Sequence, residues 1–556
     1  MSHLLVLSIG PVQEFIAAAR RTRDLWFGSY LLSEISRAVA KKVEERGGAL
    51  IFPASVDAPN VANVILAELP NEDPRAVARE AKEAAEKRWR EFAETAWRKV
   101  SEAIHEDVWN DQINDVIEFQ AAWVSTTGDE NYRADRAKVM RLLAGRKNCR
   151  DFKPAFGRPG TPKSSLDGRR ESVLKDEDRE IWSKKLRLSS GEQLDVVGVA
   201  KRLGRKVGSG DPRYPSVARI AADPWLRGVE AKHPSEFERL KDACGKLKLK
   251  GLNGLTNEAF PYEGTIVYRD RHANLREELG LNAEDPDLAE AAAALRRIGG
   301  EPNPYLAVLV ADGDKMGAAI SQRTSPEDHR RLSAALSGFA GEAKAIVDAH
   351  RGVLVYAGGD DVLAFLPVDK CLNCARELHE VFGRLLSDFG KPTLSVGIAI
   401  GHFMENLEDL LNWGRAAEKA AKEPDRDGLA IHLHKRGGAP IRVRSRWTDD
   451  GPPDQRINDY ANLIQNESLP GGLPYELQKL ADLYDGWPQE TKTAALRADV
   501  SRVIGKKNQG AGVPASIERT VGTIVDAEEL RGFARELLVA RLVAGAMRQT
   551  GGEKTS

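Results

Sequence analysis

Apolar positions change period along the chain, and each change marks an element. Leu306 to Ala311 is an unbroken apolar run, the pattern of a central strand buried on both faces, and Asp312 follows it. Residues 351–366, RGVLVYAGGDDVLAFL, read as two β-branched and aromatic strands joined at Gly358, Gly359, Asp360 and Asp361. The glycines supply the positive φ that a tight hairpin needs. A helical period lies within 327–350 and a second runs from 370 to 389. The strand TLSVGIAIG follows at 393–401, then the helix LEDLLNWGRAAEKAAKE. The predicted order is β-α-β-β-α-β, the ferredoxin-like arrangement.

The N-terminus repeats this theme. HLLVLSIGPVQEFI aligns by inspection with YLAVLVADGDKMGA, a strand followed by a sharp turn and a helix start. Gly10 stands where the later copy has Asp312. The strand regions GALIFP and ANVILAEL follow without a Gly-Gly-Asp-Asp tip, and VIEFQAAWVS at 116–125 closes the first copy. The expected fold is α+β with four parts: a first ferredoxin-like domain over 1–133, a basic insert over 134–300, a second ferredoxin-like domain over 301–437, and a helical domain over 438–556.

Composition narrows the function classes. At 556 residues with 42% hydrophobic content the chain can bury several cores. Lys and Arg, 82 together, cancel 83 Asp and Glu, so no global charge points to nucleic acid. A local basic island runs from about 134 to 210 and could track a phosphate backbone. No apolar run reaches membrane-spanning length, so the expectation is a cytoplasmic protein without a membrane partner. Four cysteines do not make a disulfide framework. Cys371 and Cys374 lie one turn apart on a predicted amphipathic helix and read as core residues; Cys149 and Cys244 are isolated.

The candidate chemistry lies at the strand ends. Adjacent Asp360 and Asp361 repel each other unless a cation sits between them. Hard Mg²⁺ or Mn²⁺ suits carboxylate oxygens and leaves room for phosphates. Pairing of the 306–311 strand with the hairpin would bring in Asp312 and complete the acids of a two-metal phosphoryl-transfer site. Gly313, Asp314, Lys315 and Met316 then open a helix whose N–H groups point at a phosphate chain; Asp314 reads equally well as a helix N-cap. Lys419 and Lys422 end the last helix of the unit. A solvated face is the ordinary reading, and Lys422 is the candidate phosphate ligand. In the first copy, Gly10, Pro11 and Gln13 offer a helix start to a second nucleotide.

Three segments carry a family resemblance: GPVQEFIAAARRTRDLWFGSYLLSEISRAVA at 10–40, ADGDKMG at 311–317 and YAGGDD at 356–361. Together they resemble the large, polymerase-like subunit of type III CRISPR effector complexes, most closely the type III-B form. The resemblance implies an inactive palm, a zinc-bearing insert, an active palm and a helical C-terminal domain. It implies two divalent metals on Asp312, Asp360 and Asp361, triphosphate held by the turn after Asp312 and by Lys422, and a second ATP on the first palm. The implied activity is conversion of ATP into a nucleotide second messenger, commonly cyclic oligoadenylate, when a complex of guide RNA and other subunits binds target RNA.

Two departures from the family pattern follow. No histidine is followed by Asp, so no HD nuclease activity is expected. The counterparts of the family's two CxxC pairs are Ser164 to Asp167 and Asp195 to Gly198, so no structural zinc is expected. The competing readings are a non-catalytic scaffold that holds guide RNA and a stand-alone dinucleotide cyclase.

Overall fold

The computed structural model describes all residues but 1, 59, 127, 150–156, 178–181, 184, 185, 187, 190, 205–213, 251–257, 450, 508–513 and 552–556. Strands β1 (His3–Gly10), β2 (Ala49–Phe52), β3 (Val64–Leu69) and β4 (Glu118–Ser125) form an antiparallel sheet in the order β2-β3-β1-β4. Helix α1 (Gln13–Ala17) leads into α2 (Thr22–Glu45), and α3 (Pro74–Val100) packs beside α2 on one face of this sheet. Leu25, Leu32, Ile35, Val39 and Val43 recur at helical spacing along α2 and are all buried there. Helix α4 (Glu106–Ile113) precedes β4, and α5 (Tyr132–Asn148) covers the opposite face of the sheet. Alternation along β1 explains both contacts: Leu5, Leu7 and Ile9 face the core shared with α2 and α3, whereas Leu4 and Val6 face Tyr132, Val139 and Leu143 of α5. A boundary drawn at 133 therefore cuts through a helix that the first sheet needs.

The second sheet comprises β5 (Tyr305–Gly313), β6 (Val353–Gly358), β7 (Asp361–Leu366), β8 (Leu394–His402), β9 (Gly428–Leu433) and β10 (Ile441–Arg446). Its order is β10-β9-β8-β5-β7-β6. Four of these strands, β6-β7-β5-β8, repeat the order of the first sheet. Along β5, Leu306, Val308 and Val310 enter one core and Ala307, Leu309 and Ala311 another, which is why the run has no polar break. Strand β10 pairs with β9 from Ile441 opposite Leu433 to Arg446 opposite Gly428. The boundary expected at 437 thus falls short, because β10 supplies a strand of this sheet before the C-terminal helices begin at Pro453.

Helices Pro326–Ala349 and Cys371–Leu385 cover one face of the second sheet. Cys371 and Cys374 are buried in that core as expected, and burial pushes the Cys371 thiol up to about 12. Helix Leu407–Lys422 lies on the other face, against β5, β8 and β9. A Cβ on Gly397 of β8 would fall 2.0 Å from the backbone nitrogen of Glu418, so only glycine lets the helix approach this closely. Among the described residues, no helix is long and apolar enough to cross a membrane.

Gly397→Ala should therefore push helix Leu407–Lys422 off the sheet. We expect a loss of about 1–3 kcal/mol in unfolding free energy, the usual cost of overfilling a packed interface, read from urea denaturation. An unchanged midpoint would mean that the helix can yield at no cost.

Candidate metal and phosphate site

Register brings the acids together. Strands β5 and β7 pair antiparallel up to Ala311 opposite Val362, so the next rung sets Asp312 opposite Asp361. Facing residues on such a ladder hold their Cβ atoms about 4.5–5.5 Å apart, and the two carboxyls share a hydrogen bond. Asp312 lies within β5, which runs on to Gly313, rather than just past the strand's end. Gly359 and Asp360 form the hairpin turn, with Gly358 opposite Asp361. Of the two glycines, only Gly359 takes the left-handed backbone, at φ +74; Gly358 ends β6 in ladder pairing and does not need it. The tip closes down on β5, where a Cβ on Gly313 would lie 2.8 Å from the Asp360 Cβ.

Crowding at the tip shows in the protonation of Asp360 and Asp361. Burial, followed by the Asp312 charge, pushes Asp360 up to about 6. Burial and the hydrogen bond to Asp312 raise Asp361 further. Oxygen donors that resist ionisation in this way are relieved by a hard divalent cation. Among the described residues, no set of three or more His, Cys, Asp or Glu is disposed to hold a metal by itself. The fit is instead to the facing pair Asp312 and Asp361, with Asp360 adding charge and the other coordination positions left to phosphate or water, as Mg²⁺ prefers.

Lys422 joins the acids. Its ammonium pairs with Asp312 and lies 2.7 Å from Oε1 of Glu418. Burial opposes its charge, but the bonds to Asp312 and Glu418 outweigh burial and raise its pKa. Lys419 is exposed on the solvent side of the helix, the solvated face expected of it.

Asp314 departs from both expectations. It is buried, and its carboxylate accepts hydrogen bonds from Thr393 Oγ1 at 2.7 Å, Ser395 Oγ at 2.9 Å and the Asp427 backbone N–H at 3.1 Å. Its own N–H donates to Thr393 O at 2.7 Å. It clamps the turn after β5 to the starts of β8 and β9, so it is neither an N-cap nor turned toward the acids. The helix begins only at Met316 and has six residues, with Lys315 as its left-handed cap at φ 58. Within the expected row of N–H groups over 313–316, Gly313 lies inside β5 opposite Leu394 and the Asp314 N–H is taken by Thr393 O.

In the first sheet, Gly10 ends β1 opposite Glu118. Gly10 and Pro11 border a cleft of about 790 Å³ that Asn63, Lys82, Arg146 and Arg169 also line. Gln13 does not line it, and every lining residue lies between 8 and 197, so Gly10 and Asp312 do not share this cavity. The link between the sheets is indirect. Asn63 Nδ2 donates to Ile9 O at 3.2 Å, and Asn60 Nδ2 donates to Ala357 O at 2.9 Å, just ahead of the hairpin tip.

Sequence reasoning missed what the Arg20–Ser29 run does. Arg20 donates to Ser165 O at 3.3 Å and Arg23 to Arg202 O at 2.8 Å, while Trp26 stacks on Tyr214 with ring centres 4.8 Å apart. Asp24 accepts from Arg202 Nε at 2.9 Å, and Lys201, fully buried, donates to the carbonyls of Phe15 and Ala18. Both Lys201 and Arg202 project from one helix, α6 (Val196–Leu203). The run thus grips the insert, and no local signal in the sequence pairs it with residues this far along the chain. The two segments expected in place of CxxC pairs do meet. Ser165 N–H donates to Gln193 O at 2.8 Å, Gln193 N–H donates to Ser165 Oγ at 2.9 Å, and Asp195 caps α6 through the Gly198 N–H at 2.8 Å. The basic stretches at 150–156 and 205–213 lie outside the described residues.

Comparison with known proteins bears on both sheets. Residues 305–430 match the family model of the Cas10/Cmr2 second palm domain, and residues 4–94 match that of the N-terminal region of CRISPR-associated protein Cmr2. The CRISPR system Cmr subunit Cmr2 of Pyrococcus furiosus is 25% identical over 558 residues, covering 78% of this chain; the chain spans 62% of that relative's length. In fold, the chain is similar to one in a type III-B Cmr-beta cryo-EM structure of the apo state. The TM-score is 0.67 at 14% identity, over 98% of this chain and 82% of that one. A Cmr-beta structure bound to cognate target RNA gives 0.64 at 15% identity, over 98% and 83%.

The clasp between Ser165 and Gln193 leads to an elemental prediction. It lies beside the four positions expected to replace thiolates, which hold Ser164, Asp167, Asp195 and Gly198, and neither serine nor glycine is a soft ligand. Inductively coupled plasma mass spectrometry of the purified chain should find far less than one zinc per molecule; stoichiometric zinc would show that a ligand set has been overlooked.

Proposed function

We propose, from the matches of both sheets to Cas10/Cmr2 family models, that the chain is the nucleotidyl-transferring large subunit of an RNA-guided type III CRISPR complex. In this reading it acts with guide RNA and the other subunits, and on binding target RNA converts ATP into a second messenger of the cyclic oligoadenylate type. The observation that carries the reading is the rung that sets Asp312 against Asp361, with Asp360 on the adjoining turn and the Lys422 ammonium on Asp312.

Asp312 and Asp361 would hold Mg²⁺ or Mn²⁺, two ions in all, with Asp360 completing the negative charge. When bound, these ions supply activation of a 3′-hydroxyl and charge neutralisation at an α-phosphate. The chain's own residues then do the positioning. Lys422, held by a helix that Gly397 seats on the sheet, exchanges part of its pairing with Asp312 for a phosphate oxygen of ATP. The attacking 3′-oxygen forms the new bond to α-phosphorus as the bond to pyrophosphate breaks, and the hydroxyl proton leaves to solvent. Gly10 and Pro11 would seat a second ATP, on the strength of the strand-turn echo between the copies and the Asn60 bond that ties this region to Ala357.

The test is reconstitution of the complex with target RNA, ATP and Mg²⁺ or Mn²⁺, with products identified by mass spectrometry. Asp360→Ala combined with Asp361→Ala should reduce product by roughly 10²-fold or more, the scale of losing preorganised charge at a reacting centre, while assembly is retained. Product at the wild-type rate would reduce the chain to a scaffold.

Gly10→Asp checks the second seat. A Cβ at this position would stand 3.4 Å from the Glu118 carboxylate, so the variant adds negative charge beside an existing acid. Product formation should fall about tenfold, as expected for roughly 1.4 kcal/mol of lost phosphate binding, with the thermal midpoint little changed. A folded variant with unaltered product would move the second ATP elsewhere.

A further inference from the structure

Helix α5 presents one face to the protein and an unusual one to solvent. Inward, Tyr132, Arg136, Val139 and Leu143 are buried. Outward, Ala134, Ala137, Ala144 and Gly145 alternate with Arg133, Lys138 and Arg141, all exposed, and Arg146 and Lys147 extend the charge to the helix end. The helix carries a single acid, Asp135, which is only partly exposed. Arg133, Lys138 and Arg141 have no ion pair or hydrogen bond among the described residues. The contrast is α3, where Lys82, Arg88, Arg90 and Arg98 each face a glutamate one turn away. Those four cations of α3 are neutralised by their own helix, whereas on α5 these three are left for something else.

We propose that the outer face of α5 is a docking surface for the phosphate backbone of single-stranded RNA. Small side chains between the cations let a sugar-phosphate chain approach the helix closely. At 1.5 Å per residue, Arg133 to Arg141 spans about 12 Å, the reach of two or three phosphates of an extended strand. Met140 and Leu142, 42% and 47% exposed, flank the charged strip and offer apolar contact to unstacked bases. A membrane surface would call for a wide apolar face, and α5 has none. The C-terminal end of the helix, Arg146 and Lys147, lines the cleft beneath Gly10, so the surface leads toward that cavity. On its inner side, Arg136 donates to Ile320 O and Tyr132 bonds His329 at 2.7 Å, which fixes the helix to the segment that follows Asp312.

This surface is independent of the proposed chemistry and is tested on the purified full chain by binding alone. Fluorescence anisotropy with a labelled oligouridylate is followed across a KCl series. For single strands, log K falls with log[salt] by about 0.7 per phosphate contact, so the triple variant Arg133→Gln, Lys138→Gln, Arg141→Gln should flatten the slope by about 2. Arg141→Gln alone should flatten it by about 0.7, which preserves the test if the triple variant folds poorly. Arg90→Gln with Arg98→Gln, on α3, should leave the slope as in the wild type. An unchanged slope in the α5 variants overturns the proposal. So does α5-dependent binding of polyglutamate without α5-dependent binding of RNA, which would assign the face to an acidic protein.

Discussion

Two carboxylates on facing rungs of an antiparallel ladder are the constraint on which the second sheet is built. At about 4 Å and an effective dielectric constant near 20, full ionisation of both costs about 4 kcal/mol, and no local preference of the chain would bring them together. Strand pairing imposes the meeting: β5 is held on one side by β7 and on the other by β8, from Tyr305 opposite His402 to Gly313 opposite Leu394. Lys422 relieves part of the repulsion from the helix side, and protonation relieves part from within, as the raised Asp360 and Asp361 show. Asp314 then keeps the turn beyond the site from opening, with three hydrogen-bond donors on its carboxylate and Arg426 Nε 3.9 Å away. Two neighbouring acids in one turn thus do opposite work, and the difference is set by whether hydrogen-bond donors or another carboxylate faces each.

The first sheet depends on a different arrangement. Arg202 is buried between Asp24 and Glu192, with its guanidinium 2.9 and 3.1 Å from their oxygens. A buried charge left without its partner costs about 3–5 kcal/mol, so removing any one of the three would strand the others. This network, with Lys201 on the carbonyls that end α1, makes the insert a structural part of the first unit. The hydrogen-bonded contact of Ser165 with Gln193 joins the two insert segments where the family pattern has thiolates, without any soft ligand.

Features set by nearest neighbours were legible in the sequence. The apolar run of β5, the hairpin at Gly358–Asp361 and the core placement of Cys371 and Cys374 all follow from period and turn chemistry. Asp314 was not legible, because its partners Thr393 and Ser395 lie 79 and 81 residues away and nothing around it distinguishes a clamp from a cap. Strand β10 was missed because Ile441–Arg446 alternates apolar and basic residues at a sheet edge, a pattern weaker than the helical periods after it. The Arg20–Ser29 run was recognisable as a motif, yet its role as a grip on the insert required the fold.

The same logic explains how the two sheets hold one relation to each other. Apolar side chains from both sheets share one core, and several of the polar contacts between them fall on backbone carbonyls. Asn60 binds Ala357 O, Arg330 binds Leu50 O at 2.8 Å and Glu68 at 2.6 Å, and Arg136 binds Ile320 O. His329, at the same joint, titrates. Burial, and then the nearby Arg136 and Arg323, push it down to about 4, so it stays neutral and bonded to Tyr132 at physiological pH. A histidine depressed in this way stabilises the fold above its unfolded pKa of about 6.5 and gives that stabilisation up as pH falls toward 4. Near neutrality the joint is therefore fixed by geometry alone. Arg136 joins α5 to Ile320 O, and Asn60 joins the β2–β3 loop to the strand that ends in the hairpin.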